Sequence, residues 1–345
     1  MDYFYYKICS VFFWQILFFI HFLPELEGCK TSKFNPQLDD IWKHYKKLYL
    51  KHYKDKAEDD LRRGNLEKVV NEISHHNLLA DLGMTKFTRG LNKYSDLTKE
   101  EFQKYLTGYR PENDTKQHKT HQRSKRSDTS LPKTIDWVKK GAVTSVPDQG
   151  HCASCWAFVA LGSLEAQQYF KTGTLKSLSV QNIIDCATEK GDGCDAGLMI
   201  TAYKYAEKNG VDTRHAYPYK EKEGKCMFDD SKVGATCSGY KILPKGDVEE
   251  LKKTVATIGP VAAAFNGHLD SFHDYKRGIY DDKDCKSDDL NHAVLVVGYG
   301  TEDDTDYWLI RNSWGKSWGD NGYMKLLRNS ENLCGIATRA SYPMV

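Results

Sequence analysis

The sequence predicts an α+β protein in which a helical lobe packs against a strand-rich lobe, with a further helical segment placed ahead of both. Three observations carry this reading. The chain has 345 residues, 40% of them hydrophobic, which exceeds one average domain. Apolar residues recur at helical spacing over 36–82 and again over 154–208, whereas beyond residue 260 they gather in short runs punctuated by Gly. Residues 107–130 hold Gly108, Pro111, Asn113, Asp114 and several Lys, Ser and His with almost nothing apolar. That composition cannot bury a core and reads as a linker between the leading segment and the two lobes.

The N-terminus comes first in the chain and in the argument. Ile8 to Pro24 is free of charge and dominated by Phe, Leu and Ile, short for a membrane span and suited to the apolar core of a secretory signal. Residues 1–28 are assigned to it, with cleavage between Glu25 and Cys29; a retained anchor is the alternative, because Lys7 alone supplies positive charge. Ten cysteines agree with an oxidising compartment. A balance of 49 basic against 47 acidic side chains leaves no footprint for a polyanion and argues against nucleic acid as a partner.

In the leading segment, Ile41, Trp42, Tyr45, Leu48 and Tyr49 are spaced as one face of a helix, and Glu58, Arg62, Leu66, Val69, Ile73 and Asn77 form the stripe of a second. Within the linker, Arg123-Ser124-Lys125-Arg126 is a dibasic, convertase-like sequence, and Asn113-Asp114-Thr115 is a glycosylation sequon ahead of it. Cutting there divides 29–126 from a compact region, 127–345. The helical lobe, about 131–240, contains helices expected over Ser154 to Lys171, closed by Gly173, and over Leu198 to Lys208, closed by Gly210. The strand-rich lobe, about 241–345, contains strands expected at Val261 to Phe265, Ala293 to Tyr299, Tyr307 to Arg311 and Tyr323 to Leu327.

The candidate chemistry gathers at three places. Cys155, in Gln149-Gly150-His151-Cys152-Ala153-Ser154-Cys155-Trp156, opens a helix, where the dipole favours a thiolate. Gln149 offers an amide that can donate to an oxyanion. His292 stands at the mouth of the apolar run Ala293 to Val297, and Asn312 follows in Arg311-Asn312-Ser313-Trp314-Gly315. An imidazole there can take the thiol proton and return it to a leaving amine, while a third group orients the ring. Cys152 and Cys155 also spell Cys-x-x-Cys, but no thioredoxin-like unit surrounds them, and no second close pair supports zinc. The compact region holds eight cysteines; with Cys155 as nucleophile seven remain, and any six permit 15 pairings.

These motifs resemble those of papain-family cysteine peptidases, nearest to cathepsin L. The separation of 137 residues from Cys155 to His292 suits that family. The helical stripe resembles the Glu-Arg-Phe-Asn-Ile-Asn pattern of cathepsin L-type propeptides, with Leu66 and Val69 in place of its aromatic and Asn. Gly90-Leu91-Asn92-Lys93-Tyr94-Ser95-Asp96 resembles Gly-x-Asn-x-Phe-x-Asp, with Tyr94 for Phe. The resemblance implies a papain-like fold with a barrel-like second lobe and an inhibitory prosegment over 29–126 that weakens on acidification as carboxylates such as Asp96 protonate. It implies a zymogen of an endopeptidase working through a thioester, with Cys155 as nucleophile, His292 as base, Asn312 as orienting group, Gln149 on the oxyanion and Trp314 shielding the His–Asn bond. It pairs Cys152 with Cys194, Cys186 with Cys226 and Cys285 with Cys334, leaving Cys237 as a free thiol. It places Gly197 against substrate backbone, and Leu198, Met199, Ala264, Leu290, Ala293 and Arg339 around the pocket for the second residue before the cut, so apolar residues are expected there. No metal or organic cofactor is implied. Partners are expected to be protein and peptide substrates, the prosegment itself, a convertase and cystatin-like inhibitors, with no membrane after signal removal. The expected location is the secretory pathway, lysosomal, endosomal or extracellular.

Departures from the family pattern are few. Ala153 and Ala196 stand where Gly is usual, adding a methyl each and strain if φ is positive. Arg339 brings a guanidinium to a position that is often small. Two other classes compete with the enzyme reading. A silent homologue acting as a binding protein would not need intact Gln149, Cys155, His292 and Asn312, and a free-standing prosegment inhibitor would not carry the hydrolase lobes.

Overall fold

The computed structural model describes residues 33–110, 131–187 and 192–345. The signal, the dibasic sequence and the sequon lie outside these described residues. The chain divides into two compact units, 1–50 and 51–345. In the first, α1 (Asp39–Leu48) opens on Asp39 and Asp40 and closes on Lys46 and Lys47, charges that suit the two ends of its dipole. Trp42 and Tyr45 are buried, but Ile41 and Leu48 of the expected stripe are exposed. The apolar face is thus narrower than the spacing implied and is carried by aromatic rings, with Tyr45 and Tyr49 in edge contact at 4.9 Å.

In the second unit, α2 (Lys56–Asp81) starts at Asp55, whose carboxylate accepts from the Glu58 amide. The stripe predicted for it divides the work. Leu66 and Ile73 are buried, Arg62 reaches Glu58 and Glu101, and Asn77 exchanges two hydrogen bonds of 2.9 Å with the backbone of Arg89. Arg89 ends β1 (Phe87–Arg89), and α3 (Lys99–Leu106) follows behind a capping box made by Thr98 and Glu101. Asp96 is the knot of this segment. Its buried carboxylate accepts from Lys51 and Tyr53, each at 2.8 Å, and its carbonyl accepts from Asn65 at 3.0 Å.

The helical lobe begins after β2 (Ile135–Asp136) with α4 (Cys155–Thr172), which is buried without interruption from Cys155 to Ala166, as a helix apolar on all sides requires. Gly173 closes it at φ 73°. Next come α5 (Val180–Cys186), α6 (Met199–Asn209), closed by Gly210 as expected, and a short ribbon of β3 (Val211–Asp212) and β4 (Val233–Ala235). The strand-rich lobe holds β5 (Gly239–Ile242), α7 (Val248–Thr257), β6 (Val261–Phe265), α8 (Asp270–His273), β7 (Tyr275–Tyr280), β8 (His292–Glu302), β9 (Thr305–Arg311), β10 (Tyr323–Leu327) and β11 (Ala340–Met344). Helix α7 falls where only strands were expected; Asp247 caps it, and Leu251 and Val255 are its fully buried positions.

Among the described residues the sheet runs β1-β7-β10-β9-β8-β6-β11-β5, with β2 added to β8. β1 of the leading segment thereby covers the edge of β7, Phe87 opposite Gly278. Gly278, at φ 94°, has no room for a side chain: a Cβ would lie 2.2 Å from the Lys86 carbonyl. Two apolar cores result. The strand-rich core takes in Phe87, Tyr94, Phe102 and Leu106 from the leading segment, and the helical core takes in Tyr109. Three disulfides join Cys152–Cys194, Cys186–Cys226 and Cys285–Cys334, the pairing expected from resemblance. Cys237 is buried and unbridged, its thiol 3.3 Å from the Tyr203 carbonyl.

Replacing Asp96 by Ala should remove the hydrogen bonds from Lys51 and Tyr53 together, at a cost of about 2 kcal/mol. Urea unfolding of the leading segment in an inactive full-length chain measures this. A loss below about 0.5 kcal/mol, the size of a surface substitution, would show that Asp96 does not organise the segment.

Candidate active site

Helix α4 begins at Cys155, so the thiol sits at the positive end of a buried dipole. Across the lobe interface, His292 is the first residue of β8 and pairs in register with Phe265 of β6. Asn312 follows the last residue of β9. Its Oδ1 accepts from His292 Nε2 at 2.9 Å and from the Ser313 amide at 2.8 Å. The second donor fixes which end of the amide is oxygen. His292 Nε2 must therefore carry its proton, and in the neutral ring Nδ1 is a free base. Nδ1 is buried, and among the described residues no group meets it in full hydrogen-bond geometry, although the Leu106 carbonyl favours the charged ring. The Trp314 ring lies 4.7 Å from the imidazole at 33°, and both are fully buried.

Gln149 is held just as closely. Its Oε1 accepts from the Ser313 hydroxyl at 2.7 Å, which turns Nε2 toward the interface. There Nε2 donates to the carbonyls of Tyr105, at 3.0 Å, and Cys152, at 3.2 Å. The residues just past α3 then cross the site. Leu106 accepts from Trp314 Nε1, Gly108 accepts from the Gly197 amide at 2.9 Å, and Tyr109 donates to the Asn291 carbonyl at 2.9 Å. Residues 107–110, expected to open the linker, belong to this crossing strand. Gly108 reads as a turn residue in the sequence, but its role is clearance: a Cβ would fall 1.8 Å from the Ala153 carbonyl.

Tyr109 lines a small pocket, about 40 Å³, together with Leu198, Met199, Ile200, Ile242, Arg339, Ala340 and Ser341. Leu198, Met199 and Arg339 thus come together as expected. Ala264, Leu290 and Ala293 lie in the adjoining apolar core without lining the pocket. Ala153 and Ala196 are buried and keep negative φ, so neither carries the anticipated strain. The residues that sequence reasoning passed over are Tyr105, Leu106, Gly108 and Tyr109. Only the glycine gave a signal, and composition read it the other way.

Covered in this manner, the site is electrically quiet. Burial pushes the Cys155 thiol up to about 12, although backbone amides of Ala293, Gly108 and Trp156 pull against it. Burial also holds the His292 imidazole down to about 4, the bond to Asn312 opposing. Thiol and ring are accordingly both neutral beneath the leading segment.

The chain matches the family model described as papain family cysteine protease over residues 131–344, and that of the cathepsin propeptide inhibitor domain over 42–102. It is 44% identical to a cathepsin L-like peptidase of Aedes aegypti over 313 residues, 88% of this chain and 92% of that one. Identity to cathepsin L of Sarcophaga peregrina is 42% over 319 residues, 89% and 93% of the two chains. The solved structure of digestive procathepsin L 3 from Tenebrio molitor larval midgut aligns with a TM-score of 0.82 at 38% identity, covering 90% of this chain and all of that one.

Two groups under the leading segment respond to pH in opposite directions. Phe102 stacks on His273 at 3.4 Å, and burial lowers that imidazole to about 4. Burial raises the Asp274 carboxyl to about 7, against the pull of Arg89 at 2.9 Å. Once uncovered, each returns toward its ordinary value, so between pH 6.5 and 4 the freed surface gains a proton at His273 and loses one at Asp274. His273→Gln should make binding of the segment strengthen on acidification across that window, and Asp274→Asn should make it weaken. Inhibition by the segment measured from pH 7 to 4 tests both; unchanged slopes would mean that neither group is uncovered on release.

Proposed function

For a chain that belongs to the papain family of cysteine proteases and carries a cathepsin propeptide domain ahead of the catalytic one, we propose that peptide hydrolysis runs through Cys155, His292, Asn312 and Gln149. The chain is the proform of a cysteine endopeptidase, and its propeptide domain marks an inhibited state. The observation that carries the assignment is the pair of oriented amides. Asn312 leaves His292 Nδ1 as the basic nitrogen, and Gln149 presents Nε2 to a carbonyl supplied by the chain's own residue Tyr105.

In the open enzyme, His292 Nδ1 takes the Cys155 proton and the thiolate attacks the scissile carbonyl. The oxyanion is held by Gln149 Nε2 and the Cys155 amide. The imidazolium passes its proton to the departing amine as the C–N bond breaks, which leaves a thioester. Water, deprotonated by the same nitrogen, then releases the acid and restores the thiol. Asn312 keeps the ring in register, and Trp314 keeps water from that bond. In the proform the carbonyls of Tyr105, Leu106 and Gly108 occupy the donors that substrate would use.

Substrate is read as an extended chain along Gly197, with its second residue before the cut in the pocket that Tyr109 now borders. Leu198 and Met199 favour an apolar side chain. Arg339 narrows the pocket with its stem, which favours Val over Phe. A bidentate grip on Asp or Glu is the competing behaviour. A secretory signal over 1–28 directs the chain to the secretory pathway, lysosomal, endosomal or extracellular. A convertase cuts after Arg126, and cystatin-like inhibitors meet the freed site.

Cys155→Ser should abolish turnover with the fold intact; substantial residual hydrolysis would remove Cys155 from its role. Peptides varied at the second position before the cut, compared between wild type and Arg339→Ala, should show Phe gaining on Val in the variant. An unchanged profile would place Arg339 outside the subsite.

A further inference from the structure

Ser154 occupies the N-cap of α4, where a serine ordinarily bonds to the first amides of its helix, yet its side chain makes no such bond. Its hydroxyl lies 2.7 Å from the hydroxyl of Tyr219 and 3.2 Å from the Cys152 carbonyl. Tyr219 in turn donates to the Gln149 carbonyl at 2.9 Å. The protons are assigned by these partners. A carbonyl can only accept, so the phenol proton goes to Gln149, and the serine proton is shared between the phenol oxygen and the Cys152 carbonyl. One hydroxyl thus ties the peptide that carries Gln149 to the residue immediately before Cys155.

The rest of the loop needs that tie. Gly150, next to Gln149, has φ 56°, a conformation that glycine tolerates without enforcing. Glu221, two residues beyond Tyr219, rests against Gly150 so closely that a Cβ there would fall 2.0 Å from its carboxylate. The Tyr219 ring is itself anchored on α4, edge to face with Phe158 at 5.0 Å, one turn from Cys155. Burial raises its hydroxyl far above the ordinary phenol range, so the donated proton stays in place at every working pH. Ser313 fixes the far end of the Gln149 side chain; Tyr219 fixes its backbone.

We propose that Tyr219 is a positioning residue for the oxyanion site, holding the Gln149 amide and the Cys155 N–H at a set separation and keeping the Ser154 hydroxyl away from the amides of α4. This rests on the reading of Gln149 as an oxyanion donor. Displacing one such donor lowers turnover by about 100- to 1000-fold when the loss is complete, and loosening it should fall short of that.

The test uses full-length chains matured in trans, so that activation does not depend on the activity of the variant. In Tyr219→Phe, kcat for a peptide amide should fall at least about tenfold, with KM within about twofold. Alkylation of Cys155 by iodoacetamide, which forms no oxyanion, should proceed at the wild-type rate. In a Gln149→Ala background the same change should add less than about twofold. Ser154→Ala should shift kcat in the same direction by a smaller factor. A wild-type kcat for Tyr219→Phe, a parallel drop in alkylation, or a full tenfold loss on top of Gln149→Ala would each overturn the inference. Wild-type hydrolysis by Gln149→Ala alone would instead overturn the reading on which it rests.

Discussion

The bond on which the site depends is the 2.9 Å contact between His292 Nε2 and Asn312 Oδ1. Neither residue could set it alone. β8 supplies the ring and the residue just past β9 the amide, and the pairing of Leu295 with Arg311 brings the ends of those strands side by side. The Ser313 amide then settles which amide atom faces the ring. A charged orienting group would stabilise the imidazolium more strongly, whereas a neutral amide leaves the ring free to be neutral or charged as its surroundings dictate. That freedom lets one constellation be silent in the proform and reactive in the open enzyme.

Silence comes from dielectric as much as from obstruction. The Leu106 backbone meets the histidine and the Gly108 backbone the thiol, and both groups are fully buried, an environment that disfavours an ion pair. The amides around the sulfur and the start of α4 still favour the thiolate, but desolvation outweighs them. Burial under the crossing segment thus acts on the same side as obstruction, favouring the neutral thiol and the neutral ring.

Much of this was legible in the sequence, for physical reasons that differ between elements. α4 and α6 were readable because their closing glycines adopt the left-handed or extended positive-φ geometry that other residues avoid, and β6 because a short apolar run between Gly259 and Gly267 leaves few alternatives. Cys155, His292 and Asn312 could be picked out from their local settings, although their meeting depends on a register that no local pattern encodes. Helix α7 was missed because its charged residues at 249, 250, 252 and 253 hide an apolar contact of three residues, Val248, Leu251 and Val255. The crossing strand was missed for a deeper reason: residues 107–110 are shaped by the groove they occupy, and Gly108 bears the mark of its neighbour rather than of its own conformation. The narrowed stripe of α1 shows the reverse error, since periodicity counts Ile41 and Leu48 as core without knowing how little there is to bury them.

Strand β1 has a consequence for activation as a sequence of events. It is hydrogen-bonded into the same sheet that carries His292, and it is joined there by Phe102 against His273 and Tyr109 at the apolar pocket. Scission of the chain between residues 110 and 131 touches none of these contacts. A cut molecule consequently remains a complex, inhibited until a sheet edge unzips and two aromatic anchors withdraw. Cleavage of the chain and loss of these contacts are then distinct events, the second set by the sheet edge and the aromatic contacts rather than by the cut.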